Sequence, residues 1–159
     1  MNEAYIILGG NLGDISVNLT TARESIEEKA GVIKKKSGLY HAAAWGKTDE
    51  PSFLNQVIQI ETTLSPDSLL HTLLQIELKM GRVRTIKNAS RIIDIDILFY
   101  DNEIVNSSNL IVPHPEIVNR RFVLVPLNEI APTFIHPVLK IAVSELLKNC
   151  KDELPVDKL

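Results

Sequence analysis

The chain has 159 residues, 45% of them hydrophobic and 23% charged, and 17 Lys and Arg against 20 Asp and Glu give a net charge of −3. That length suits one domain, residues 1–159, with a core of its own, and the composition excludes disordered and fibrous classes. The negative balance excludes a nucleic-acid binder working through a broad basic surface. The apolar runs are too short to span a bilayer, and a lone Cys150 with no signal peptide at Met1-Asn2-Glu3 points to a reducing cytoplasm.

In chain order, Ala4 to Leu8 reads as a buried strand. The turn-rich Gly9-Gly10-Asn11-Leu12-Gly13-Asp14 follows, then a helix from about Ile15 to Lys29 that Gly31 stops. Val32 to Tyr40 and Phe53 to Thr63 read as strands, separated by an exposed loop from Ala42 to Ser52. Ser65-Pro66-Asp67 opens a second helix, with Ser65 as cap and Pro66 at the first helical position. Leu69, Leu70, Leu73, Leu74, Ile76 and Leu78 form its apolar face, and it ends near Gly81. A cation-rich segment from Arg82 to Ser90 leads into a strand from Ile92 to Tyr100, a turn at Asp101-Asn102 and the extended Glu103-Ile104-Val105. Pro113 and Pro115 hold His114 in a rigid extended piece, and helices over about 120–128 and 141–148 complete the chain. The order strand, helix, strand, strand, helix, strand predicts an α+β fold of ferredoxin-like type: a four-stranded antiparallel sheet with helices on one face and C-terminal additions.

Within Ile92-Ile93-Asp94-Ile95-Asp96-Ile97-Leu98, strand alternation places Asp94 and Asp96 on one face and Ile95 and Ile97 on the other. Two carboxylates about 6–7 Å apart repel unless a cation sits between them, and Mg²⁺, which takes oxygen ligands, is the usual one. Alone, the pair is more often a solvated sheet face, because so short a pattern is common. Its neighbours add weight to the metal reading: Arg82, Arg84, Lys87 and Arg91 fall within ten residues just before it, and Arg120 and Arg121 form a second cationic pair. Arginine forks match phosphate oxygens and a bound cation bridges them, so the combination suits a metal-bound polyphosphate. Surface salt bridges from these arginines to Asp94, Asp96 or Glu77 are the structural alternative.

The run Lys87-Asn88-Ala89-Ser90-Arg91-Ile92-Ile93-Asp94-Ile95-Asp96-Ile97-Leu98 resembles the signature of the 6-hydroxymethyl-7,8-dihydropterin pyrophosphokinase family. Five further elements resemble that family in the same order: Gly9-Gly10-Asn11-Leu12-Gly13-Asp14, Phe53-Leu54-Asn55, Glu77 to Arg84, Val112-Pro113-His114-Pro115 and Arg120 to Leu127. The resemblance implies a ferredoxin-like fold and attack of a pterin hydroxymethyl oxygen on the β-phosphorus of MgATP, with release of AMP, in folate biosynthesis. It implies two Mg²⁺ ions on Asp94 and Asp96, with Arg82 and Arg91 acting on the transferred phosphates. ATP contacts are implied for Glu77, Arg82, Arg84, Arg91, Ile97, His114 and Arg120, and pterin contacts for Ala43, Trp45, Phe53, Asn55 and Phe122. The Asn55 amide offers a donor and an acceptor to a heterocycle that presents both, and Phe53 and Phe122 would stack on its ring. The loop from Tyr40 to Gly46 departs from the usual family pattern, and Asn88 and Ser90 stand where some members carry Trp and Pro. The expected partners are small molecules, with no nucleic acid and no membrane, and the expected state is a monomer. A non-catalytic ferredoxin-like module that senses a nucleotide is the alternative.

Overall fold

The structure is a computed structural model that describes residues 1–42, 52–82 and 92–159. In chain order its first half runs β1 (Asn2–Gly10), α1 (Ile15–Lys29), β2 (Val32–Lys36), β3 (Tyr40–Ala42), β4 (Phe53–Thr62) and α2 (Pro66–Lys79). The second half runs β5 (Asp94–Tyr100), β6 (Val105–Asn106), β7 (Ile111–Val112), a 3₁₀ turn at Ile117–Asn119, α3 (Arg121–Ile130), α4 (Val143–Asn149) and β8 (Val156–Lys158).

Local chemistry explains the helix ends. The Asp14 carboxylate accepts from the Val17 N–H at 3.2 Å and caps α1, while Ser65 accepts from the Ser68 N–H at 3.2 Å and caps α2 ahead of Pro66. Beyond α2 the chain turns through Gly81 at φ +91°, a conformation open to glycine at little cost. Caps of this kind contribute about 1 kcal/mol each. The first turn of α3 is held from a distance, because the Arg121 N–H donates to Asp152 Oδ2 at 3.0 Å.

The fold is α+β, with a six-stranded antiparallel sheet in the order β5-β1-β4-β3-β8 and β2 also pairing with β4. Strand alternation divides its side chains between two cores. Ala4, Ile6, Leu8, Ile58, Ile60, Ile95 and Ile97 pack against Leu19, Ala22 and Ile26 of α1 and Leu69, Leu73 and Ile76 of α2. On the opposite face, Tyr5, Ile7, Val57, Leu98 and Phe99 meet Val123, Leu124 and Leu127 of α3 and Val143 and Leu146 of α4. Each fully buried side chain of this size contributes roughly 1.5–3 kcal/mol.

Three sequence expectations change. Helices cover both sheet faces rather than one, because the apolar side of α3 buries against the face that α1 and α2 leave open. The strand expected from Val32 to Tyr40 is split at Ser37, which exchanges two bonds with Val57: its N–H donates to the Val57 carbonyl at 2.8 Å and its Oγ accepts from the Val57 N–H at 3.0 Å. Gln56 fills the gap by donating to the Ser37 carbonyl at 2.6 Å. β8 was not expected, since its short polar sequence becomes a strand only by pairing with β3. Among the described residues no helix is long and apolar enough to cross a membrane.

Candidate active site

Register places the polar residues of the second face side by side. Gly9 of β1 pairs with Asn55 on β4 and with Asp94 on β5, so Asp94, Gly9 and Asn55 form one row across three strands. The next row is Asp96, Ile7 and Val57, which sets both carboxylates on the α3 side of the sheet as alternation predicts. With strands about 4.8 Å apart, Asp94 and Asn55 stand roughly 10 Å apart along the row.

Gly9 lies at the end of a strand rather than in a turn, and the reason is close approach. A Cβ built there would overlap the Asn55 side-chain oxygen. The Asn55 side chain is 4% exposed, and its Nδ2 is buried without a hydrogen-bond partner among the described residues. A buried amide donor with no acceptor costs about 1–3 kcal/mol. A ligand acceptor would relieve that cost. Phe53 and Phe122 are half-buried at the first residue of β4 and in the first turn of α3.

The Asp94 end is organised by a buried ion pair. Arg82 Nη1 donates to Glu77 Oε2 at 2.8 Å and also to Asp94 Oδ1. Desolvation disfavours the charged guanidinium, but Asp94 foremost, with Glu77 and Asp96, outweighs it and raises the Arg82 pKa. Glu77, expected among the ATP contacts, is only 1% exposed and lies beneath Arg82.

His114 is half-buried close to Asp94 and Arg120. Its Nδ1 accepts from the Glu116 N–H at 3.1 Å, so the neutral ring carries its proton on Nε2. Burial foremost, and then Arg120, lower its pKa, against smaller opposing pulls from Asp94 and Glu116. Arg120 lies 5.7 Å from the centroid of the Phe122 ring, and its Nε is buried without a partner among the described residues.

Beside Asp96 and His114 opens a cleft of about 790 Å³ between α2, β5 and the β6–β7 hairpin, lined in part by Leu70, His71, Leu74, Ile97 and the 107–109 loop. The apolar α2 stripe expected from sequence is divided here: Leu69, Leu73 and Ile76 are buried in the core, Leu70 and Leu74 line the cleft, and Leu78 is exposed. Apart from Ile97, the sequence held no separate signal for these cleft residues. Gly9 did carry one, as a glycine following an apolar strand run. Ala43, Trp45, Arg84 and Arg91 lie outside the described residues.

The structure thus brings Arg82, Asp94, Asp96, His114, Arg120 and Asn55 to one sheet end, with Ile97 in the adjoining cleft. Such a site can hold a polyanion through arginine and imidazole N–H groups, a hard cation through two carboxylates, and a flat polar ring at Asn55. Among the described residues no three His, Cys, Asp or Glu side chains form a ready ligand cluster. Two carboxylates completed by phosphate oxygens and water is the usual way Mg²⁺ is held beside a nucleotide, so the donor set fits that ion.

Comparison with known proteins gives one family. Residues 5–132 match the model for 7,8-dihydro-6-hydroxymethylpterin-pyrophosphokinase. The chain is 40% identical over 153 residues to the 2-amino-4-hydroxy-6-hydroxymethyldihydropteridine pyrophosphokinase of Haemophilus influenzae, covering 96% of this chain and 95% of that protein. It is 41% identical over 136 residues to the enzyme of the same name from Methylorubrum extorquens, covering 85% of this chain and 86% of that protein. Folic acid synthesis proteins of Pneumocystis carinii and Dictyostelium discoideum match at 40% and 38% identity, and the chain spans only 20% and 22% of their length. Among solved structures, Plasmodium falciparum HPPK-DHPS with pteroate superposes with a TM-score of 0.77 at 19% identity, over 92% of this chain and 42% of that one. That likeness concerns the fold. On the family model and the relatives matched nearly end to end, the chain belongs to the 7,8-dihydro-6-hydroxymethylpterin-pyrophosphokinase family of enzymes.

Proposed function

We propose that this site transfers the diphosphate of MgATP to the hydroxymethyl group of 6-hydroxymethyl-7,8-dihydropterin in folate biosynthesis. The row Asp94, Gly9, Asn55 carries this reading, because it joins a phosphate-and-metal end to a heterocycle end on one sheet face. The pterin lies at Asn55, whose Nδ2, without a partner among the described residues, donates to the ring edge, with Phe53 and Phe122 against its faces. The nucleotide occupies the cleft beside Ile97 and His114, and its phosphates run toward Asp94 and Asp96.

Arg82 and Arg120 hold phosphate oxygens, His114 donates its Nε2 proton to another, and Arg84 and Arg91 belong to the same phosphate-binding set. Asp94 and Asp96 would hold the two Mg²⁺ ions, whose charge would offset that of the phosphates. The pterin hydroxymethyl oxygen forms a bond to the β-phosphorus, and the bond between that phosphorus and the oxygen bridging to the α-phosphate breaks. The bridging electrons leave with AMP, and the hydroxyl proton is lost to solvent. No strong general base is required, because positioning and charge stabilisation supply most of the effect in phosphoryl transfer. The sheet is read as a ferredoxin-like four-stranded core with additions, in a single catalytic domain that works as a cytoplasmic monomer.

The test is the purified chain with the pterin alcohol and MgATP. AMP and pterin diphosphate in equal amounts are the expected products. ADP instead of AMP overturns diphosphate transfer, and bound ATP without AMP favours a nucleotide-sensing module.

A further inference from the structure

Among the described residues, Glu77 is the most buried charged side chain near the site, 1% exposed at the end of α2, where a glutamate ordinarily reaches water. One of its oxygens, Oε2, accepts from Arg82 Nη1 at 2.8 Å and from the Ile95 N–H at 2.7 Å. Ile95 stands between the two aspartates on β5, which among the described residues is an edge strand with no neighbour on its outer side. A single carboxylate therefore ties together the helix end, the arginine and the segment bearing Asp94 and Asp96.

Arg82 Nη1 is shared between two anions, Glu77 and Asp94. If Glu77 were neutral, the attraction of a nearly buried guanidinium would fall mainly on Asp94, with a smaller share on Asp96, and a cation would have to displace it there. With Glu77 ionised, Arg82 keeps a partner when Asp94 turns to a cation, and no buried charge is left alone. We infer that Glu77 is a positioning residue: its buried carboxylate retains Arg82, so that Asp94 can give its charge to the metal, and it fixes the β5 segment on which both aspartates stand. This rests on the proposed metal-and-nucleotide reading of the site, and it assigns Glu77 no contact with ATP.

The experiment measures Mn²⁺ binding by electron paramagnetic resonance in the presence of α,β-methylene-ATP, for wild type, Glu77→Gln, Arg82→Ala and the double variant. Glu77→Gln keeps an acceptor for the Ile95 N–H but removes the charge. The expected result is Mn²⁺ affinity weakened about tenfold in Glu77→Gln, the scale of losing a charge-assisted bond, with most of that effect gone when Arg82 is already alanine. Affinity unchanged in Glu77→Gln, or lowered equally in both backgrounds, overturns the inference. Should Glu77→Gln not fold, Arg82→Lys replaces it, because lysine keeps the charge and loses the planar guanidinium whose Nη1 the two carboxylates share. Arg82→Lys is expected to weaken Mn²⁺ binding similarly, and wild-type affinity overturns the inference. Wild-type chain that binds no Mn²⁺ with the analogue overturns the site reading itself, a separate outcome.

Discussion

The two ends of one sheet face are built from the same three strands and put them to opposite uses. At one end, Tyr5, Phe99 and Phe134 interlock, with ring centroids 4.6 Å apart for Phe99 and Phe134 and 5.2 Å for Tyr5 and Phe134. His136 stands edge-on to Phe99 at 5.6 Å, and the space beneath α3 and α4 is filled. At the other end, Gly9 replaces a side chain, Asn55 keeps a buried donor without a partner among the described residues, and Asp94 brings charge. The filled end stabilises the fold. The open end carries unsatisfied groups at some cost in stability, and those groups are what a ligand can use.

Substitutions at the two ends should therefore separate activity from stability. The largest effect belongs to Asp94→Ala and Asp96→Ala, expected to lower turnover on the order of 10⁴-fold in the AMP assay while the circular dichroism spectrum stays native. Near wild-type turnover in either variant would remove the carboxylates from the reaction. Phe99→Ala is the converse. Deleting a 1% exposed ring from the filled end should cost about 3–5 kcal/mol and lower Tm by roughly 10 °C. Below its transition it should retain kcat/KM within about twofold, since no atom of the site is touched. A tenfold loss there would show the two ends to be one unit.

Much of this division could be read from the sequence where local pattern decided it. Alternation alone put Asp94 and Asp96 opposite Ile95 and Ile97, and Ser65-Pro66 fixed the start of α2. What could not be read depends on distant contacts. Glu77 looks solvated at a helix end because nothing nearby in sequence reveals Ile95 closing over it, and the break at Ser37 arises from bonds to Gln56 and Val57. β8 and the α3 cap from Asp152 depend in the same way on a C-terminal segment with no strand or helix pattern of its own.

Gly9→Ala tests how closely the open end is fitted. The added Cβ overlaps the Asn55 side chain, so the amide must shift, and overpacking of this kind costs about 1–3 kcal/mol. The effect should fall on the pterin, with its KM raised roughly 10- to 100-fold and the KM for MgATP little changed. An equal rise for both substrates would place the glycine's role in the sheet as a whole rather than beneath Asn55.

The smallest expected effect lies at the filled end and depends on pH. His136 is 6% exposed, its Nδ1 accepts from the Val138 and Leu139 N–H groups at 3.2 and 3.1 Å, and burial lowers its pKa. In the unfolded chain a histidine takes its proton near pH 6.5, whereas the folded ring resists protonation until lower pH. Over that window the unfolded state binds more protons, so stability is fully present above about pH 6.5 and falls as the pH drops through the depressed folded value. Protonating Nδ1 would also break both N–H bonds it accepts. Tm should therefore fall between pH 7 and pH 5, and His136→Gln, which cannot titrate, should flatten part of that slope even if it lowers Tm at pH 7. His114, depressed by burial and Arg120, supplies the remainder from the open end. MgATP bound beside it would favour the protonated ring, so ligand should reduce the slope that survives in His136→Gln and leave the part removed by that substitution untouched. A slope unchanged by His136→Gln and abolished by ligand would assign the whole acid sensitivity to the open end.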